Sequence, residues 1–130
     1  KDGIYDFVQP DASVIGGMTA VFEIFEEASK KNIDTVVHAW GGPVAIMANY
    51  QCAFARKGNL VEYPMIPFKL EEEMFGDQRI IKEGKVLKPV ANGIGINLSK
   101  DIEEKFNFDE EAVYTCVLVD RGQPKDLYWK

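Results

Sequence analysis

The sequence predicts an α/β domain built on parallel strands, and three observations carry that expectation. β-prone runs and helical patterns alternate as β-α-β-α-β over the first half of the chain, with short connections. The second β-prone run, IDTVVHA, is apolar on consecutive residues at its centre, as in a strand covered on both faces. The composition, 46% hydrophobic and 28% charged over 130 residues, is that of one globular domain with material for a core.

Residues 4–9, IYDFVQ, form a short β-prone run closed by Pro10-Asp11. Gly16-Gly17 precedes a helical pattern in which Met18, Val21, Phe22, Phe25 and Ala28 share one face. Glu23, Glu26, Glu27, Lys30 and Lys31 take the other face, and Asn32 ends the helix. Residues 33–39 form the second strand. Gly41-Gly42-Pro43 opens a second helix that runs to about residue 56. Its small residues (Ala45, Ala48, Cys52, Ala53, Ala55) predict close packing, and Lys57-Gly58-Asn59 stops it. Residues 60–63 are a third strand, cut by Pro64. Beyond Pro67 the alternation is lost. Lys82-Glu83-Gly84-Lys85 reads as the turn of a small hairpin. A short polar helix over 99–106, with Ser99 as its cap, and a strand over 114–119 complete the reading.

Charge and composition exclude several functions. The net charge is −6 with no Lys/Arg cluster, which argues against nucleic acid or an anionic membrane as partner. No stretch approaches the roughly 18 apolar residues of a membrane span. The charged start, KDGIYDFVQPD, is not a signal peptide. It also lacks an initiator Met, so a fragment or an excised domain is expected. Cys52 and Cys116 make neither a CxxC pair nor a disulfide framework, and a reducing, cytoplasmic setting is the default.

One arrangement carries chemistry. Asp11 follows the first strand, His38 ends the second, and Glu62 sits in the third. In parallel α/β sheets and barrels, ligands gather at the carboxyl ends of strands. Taken singly, Pro-Asp is an ordinary turn, a lone His is an ordinary core residue, and Glu62 is an ordinary edge charge. Together they offer a carboxylate beside an imidazole, the usual means of fixing its tautomer and raising its basicity.

The run QPDASVIGG, then HAW 27 residues after the Asp, then LVEYP, resembles the C-terminal part of the barrel in the enolase superfamily. The mandelate racemase subgroup is the nearer match, because the muconate lactonizing subgroup lacks this His. The resemblance covers about residues 4–106. NGIGINLS is similar to the family's Gly-x-Gly segment after the eighth strand, with Asn92 where a Pro is usual. The resemblance implies the C-terminal portion of a (β/α)8 TIM-type barrel, about strands 6 to 8 with their helices. Residues 1–109 would form that portion, and residues 110–130 a C-terminal extension packing on a missing domain or a partner chain. By the same resemblance His38 is a general acid/base and Asp11 its pairing carboxylate. Glu62 would hydrogen-bond the substrate carboxylate or the enolate oxygen formed from it.

The resemblance also implies parts that these residues do not contain. Three metal-binding carboxylates, a Lys-x-Lys pair and an N-terminal capping domain are expected before the sixth strand. The parent would hold Mg²⁺, with no metal ligand in this chain. A whole barrel takes about 250 residues, and the chain is roughly half of that. Glu71-Glu72-Glu73 reads as a solvated helix face rather than a metal site. Gly16-Gly17 and Gly93-Ile94-Gly95 read as tight turns and close backbone approach, not as nucleotide cradles. Trp40 lines the pocket mouth or packs between domains, and Tyr128 and Trp129 pack on the missing part or another subunit.

The function this implies is abstraction of a proton alpha to a carboxylate. The first expectation is an acid-sugar dehydratase, a lyase; the second is a racemase or epimerase, an isomerase. The partners implied are a small carboxylate substrate, the missing N-terminal part and further copies in a homo-oligomer. The 130 residues alone are expected to be inactive. The non-enzymatic alternative is an α/β module acting through binding or assembly.

Overall fold

The computed structural model describes residues 3–64, 68–79 and 81–110. Strand β1 (Phe7–Val8) is followed by helices α1 (Ala12–Ile15) and α2 (Met18–Lys30). Strand β2 (Asp34–Thr35), helix α3 (Pro43–Ala55) and helix α4 (Lys69–Phe75) come next. The hairpin β3 (Ile81–Lys82) and β4 (Lys85–Val86) precedes helix α5 (Lys100–Lys105). The expected strand over 114–119, Cys116, Tyr128 and Trp129 lie outside the described residues.

β1 and β2 pair in parallel, Phe7 opposite Asp34 and Val8 opposite Thr35. The ladder continues past both strands, because the His38 N–H donates to the Pro10 carbonyl at 3.0 Å. Val37 forms a parallel bridge to Val61. Three extended segments therefore lie side by side in chain order, each joined to the next through helices, as the alternation predicts. The regular strands are shorter than their β-prone runs, and the third is reduced to the Val61 bridge. Pro10 and Pro64 lack the N–H that would carry the ladder further.

The two long helices follow their sequence signals closely. α2 buries Val21 and Ala28 along one stripe, with Met18, Phe22 and Phe25 packed half-buried against the core. It ends in a Schellman motif. Asn32 takes a left-handed φ of 56°, and the Ile33 N–H reaches the Ala28 carbonyl at 3.0 Å. α3 ends in the same way, but Lys57 and not Gly58 adopts the left-handed conformation. Gly58 donates to the Ala53 carbonyl at 2.8 Å. Pro43 starts α3, where a missing N–H costs nothing.

α3 is buried on nearly every side. Ile46, Met47, Asn49, Tyr50, Cys52 and Ala53 are all inaccessible, and the helix touches α1, α2 and α4. Burial raises the Cys52 thiol pKa, so it is an inert core group. The Tyr50 hydroxyl donates to the Glu62 carbonyl at 2.9 Å, which fastens the third strand to α3. Burial pushes that hydroxyl up to about 12, against the opposing field of Arg79.

α4 corrects the solvated-face reading of the acidic run. Glu72 and Glu73 are exposed, but Glu71 points inward and is buried. Its Oε2 accepts a 2.8 Å hydrogen bond from Arg79, whose guanidinium also lies over the Phe75 ring at 4.3 Å. Burial raises the Glu71 carboxyl pKa, and Arg79 only partly offsets this. The hairpin forms where its turn residues predict, with φ of 52° at Glu83 and 72° at Gly84, as a two-residue reverse turn requires. Ser99 caps α5 by accepting from the Ile102 N–H at 3.3 Å, and Lys105 pairs with Glu73 to tie α5 to α4.

Candidate active site

Asp11, His38 and Glu62 end three neighbouring parallel segments on the same side of the sheet, and the backbone geometry explains how they meet. The Pro10 carbonyl accepts from His38, so the residues just beyond β1 and β2 are held level. Asp11 then turns the chain into α1 as its N-cap. Its Oδ1 accepts from the Ser13 N–H at 2.8 Å and from the Ser13 hydroxyl at 2.7 Å. Its Oδ2 lies 2.7 Å from His38 Nδ1. One carboxylate thus caps a helix with one oxygen and meets an imidazole with the other.

The electrostatics assign the proton. Burial opposes ionisation of Asp11. Hydrogen bonds from Asn49, His38 and Ser13 outweigh burial and bring its pKa down to about 2. At neutral pH Asp11 is therefore an acceptor, and the His38 Nδ1–H donates to it. In the neutral form of the ring the lone pair is then on Nε2. That atom lies 3.9 Å from Glu62 Oε2, too far for a hydrogen bond. His38 and Glu62 side chains are each 35% exposed, whereas that of Asp11 is 9% exposed. The imidazole is partly open to solvent, and the carboxylate that orients it is sheltered.

Glu62 is held from two directions. Its Oε2 accepts from the Ala39 N–H at 2.7 Å and from Gln9 Nε2 at 3.2 Å. Trp40 stands beyond His38 with 39% of its surface exposed, edge-on to Phe68 at 5.6 Å.

Sequence reasoning missed Asn49. It lies in the middle of α3, 1% exposed, and its Nδ2 donates to Asp11 Oδ1 at 2.9 Å. Its own Oδ1 accepts from the Ala12 N–H at 2.8 Å. The available signal was a polar residue at a buried position of a small-residue helix. Gln9 was missed as well.

Among the described residues no three His, Cys, Asp or Glu side chains converge where a metal ion could sit. Mg²⁺ demands near-octahedral oxygen ligation. Asp11 already spends both oxygens on protein hydrogen bonds. The residues at this site do not fit Mg²⁺, and no step is assigned to a metal here. A concavity of about 770 Å³ lies at the opposite, amino-terminal end of the strands, beside Asn32, Asp34 and Asn59. It contains none of the three residues and stands on the side that parallel sheets do not use for ligands. No described helix is long and apolar enough to cross a membrane.

Residues 1–102 match the family described as enolase C-terminal domain-like. No curated protein sequence matches the chain. Among solved structures, a predicted mandelate racemase from Rhodobacter sphaeroides superposes with a TM-score of 0.67 and is 26% identical. The match covers 85% of this chain and 29% of that one. The family match, the structural match and the parallel segments give one conclusion: the chain belongs to the enolase C-terminal domain-like family, on its mandelate racemase side, as a portion of the (β/α)8 barrel.

Proposed function

We propose that this chain carries the base-bearing part of an active site that removes a proton alpha to a carboxylate. The observation that carries the reading is the 2.7 Å contact between His38 Nδ1 and Asp11 Oδ2, which makes Nε2 the lone-pair nitrogen of the neutral imidazole. His38 is the general base in proton abstraction, and its imidazolium is the general acid that protonates a departing hydroxyl. Asp11 holds the tautomer and stabilises the imidazolium, as carboxylates do in other His–Asp pairs.

Glu62 acts beside the developing oxyanion. To donate a hydrogen bond there it must be protonated. Its Oε2 is committed to the Ala39 N–H and to Gln9, so that proton sits on Oε1. Enolase-superfamily sites combine a Lys or His base with one or two Mg²⁺ ions, which stabilise the enediolate. We assign those metal ligands, and the residues that read the substrate, to parts of the parent beyond these 130 residues.

Dehydration of an acid sugar is the first reading, because one imidazole can serve as base for the alpha proton and as acid for the beta hydroxyl. Racemisation is the second, and the name of the structural neighbour favours it. Exchange of solvent deuterium into the alpha position of the substrate, in the full-length parent, is the test. His38→Asn keeps the size of the side chain but cannot take the proton, and exchange should nearly vanish with the fold intact. Unchanged exchange with both stereoisomers would remove His38 from the mechanism.

A further inference from the structure

We propose that Asn49 is a positioning residue for His38, acting through Asp11. The inference rests on the reading of His38 as the base, and it concerns a residue on another element. Asn49 comes from α3, while Asp11 and His38 end neighbouring strands.

The geometry is two-sided. Asn49 Nδ2 donates to Asp11 Oδ1 at 2.9 Å, and Asn49 Oδ1 accepts from the Ala12 N–H at 2.8 Å. One amide therefore grips the carboxylate and the peptide that follows it. A carboxylate that ended a strand with only Ser13 on Oδ1 could rotate about its Cβ–Cγ bond. Rotation would move Oδ2 out of line with His38 Nδ1. The Asn49 bond to Oδ1 blocks that rotation, and its bond to Ala12 fixes where the Asp11 backbone stands. Asn49 is 1% exposed, so water cannot replace either bond without entering the core.

The amide suits this place in a way that its relatives do not. Aspartate would aim a second negative charge at Asp11. Leucine has the volume but neither bond. Serine is too short to span both partners. An amide supplies one donor to the carboxylate and one acceptor for the N–H, in one rigid plane.

A merely structural role, tying α3 to α1, predicts lost stability and an unchanged imidazole. A positioning role predicts a changed imidazole. His38 is the only histidine in the sequence, so its nitrogen resonances can be read in this chain without ambiguity and without activity. Besides Asp11, the charged group facing the ring is Glu62. In the unaltered chain, at a pH where the ring is neutral, nitrogen-15 spectra should show a protonated Nδ1 and an unprotonated Nε2. In Asn49→Leu and Asn49→Ala, with folding checked by backbone amide dispersion, the ratio of the two tautomers should fall by about tenfold, the worth of one hydrogen bond to a charged group.

An unchanged tautomer ratio in either folded variant overturns the proposal. Should neither variant fold, hydrogen exchange at the Asn49 side-chain amide of the unaltered chain decides. Strong protection supports the grip on Asp11, and exchange at the rate of a free amide overturns it. Failure of the base reading shows instead as normal deuterium exchange in the His38→Asn parent, whatever Asn49 does to the ring.

Discussion

At the scale of single residues, the site was partly legible in the sequence. Asp11, His38 and Glu62 could be singled out because a strand-helix alternation says where strands end, and polar groups at those ends are few. Asn49 could not, because its partner is 38 positions away and only tertiary packing joins them. Asp11 was legible as a turn residue, yet α1, which it caps, is too short to show a period. The lowered pKa of Asp11 has a measurable consequence. Its folded value of about 2 lies below its ordinary value of 3.8. The stabilisation is therefore complete above about pH 4 and is lost as pH falls through about 2, and it amounts to about 2 kcal/mol. In Asp11→Asn the urea-derived stability should fall less steeply between pH 5 and 2 than in the unaltered chain. Parallel curves would show that Asp11 carries no such linkage. At neutral pH the same substitution should move the ring proton to Nε2, since the new amide can donate to Nδ1.

At the scale of elements, α4 is where sequence reasoning gave least. KLEEEMF has little apolar periodicity, and Phe68 gives the helix no side-chain cap. Nothing in the run says that its first glutamate turns inward, because its partner Arg79 arrives eight residues later. Glu71 Oε1 is buried with no hydrogen-bond partner among the described residues. Removing Arg79 would leave the whole carboxylate uncompensated, and breaking a buried pair in this way costs about 3–5 kcal/mol. Arg79→Leu should therefore destabilise far more than Glu71→Gln, and the double variant should recover much of the loss. A double-mutant cycle by urea denaturation measures this, and additive losses would sink the account. The Gly93–Gly95 loop was legible as a close approach. Gly95 has a φ of +78°, and a Cβ there would stand 2.8 Å from the Pro89 ring. Gly95→Ala should cost more than about 1 kcal/mol, because a left-handed φ strains any residue with a Cβ and the added methyl would press on the Pro89 ring.

At the scale of the whole molecule, the parallel segments leave apolar groups uncovered. Ile4 is 80% exposed, Tyr5 67% and Leu60 54%, all near the outer segments of the sheet. Uncovered strand edges template pairing with other chains. Sizing over a range of concentrations should show association, and a charged substitution at Phe7, which is also exposed, should weaken it. A monomer at every concentration would remove this reading. The chain alone should not catalyse alpha-proton exchange. General-base catalysis is typically worth 10²–10⁴-fold, while enzymatic accelerations begin at about 10⁶. Metal-dependent exchange by the homogeneous 130 residues would overturn the assignment of the metal ligands to other parts of the parent. The barrel portion was legible because alternation and resemblance agreed.

The Ala39 N–H bond to Glu62 has a consequence for how such a site can diverge. It hangs the carboxylate from the peptide next to the imidazole, so the spacing of the two groups is set by main chain. Side chains around the mouth, Trp40 among them, can drift in size and polarity without stretching that spacing. Only proline at position 39 deletes the tie outright, since it alone brings no N–H. A lineage could therefore reshape the rim while inheriting the carboxylate–imidazole spacing unchanged.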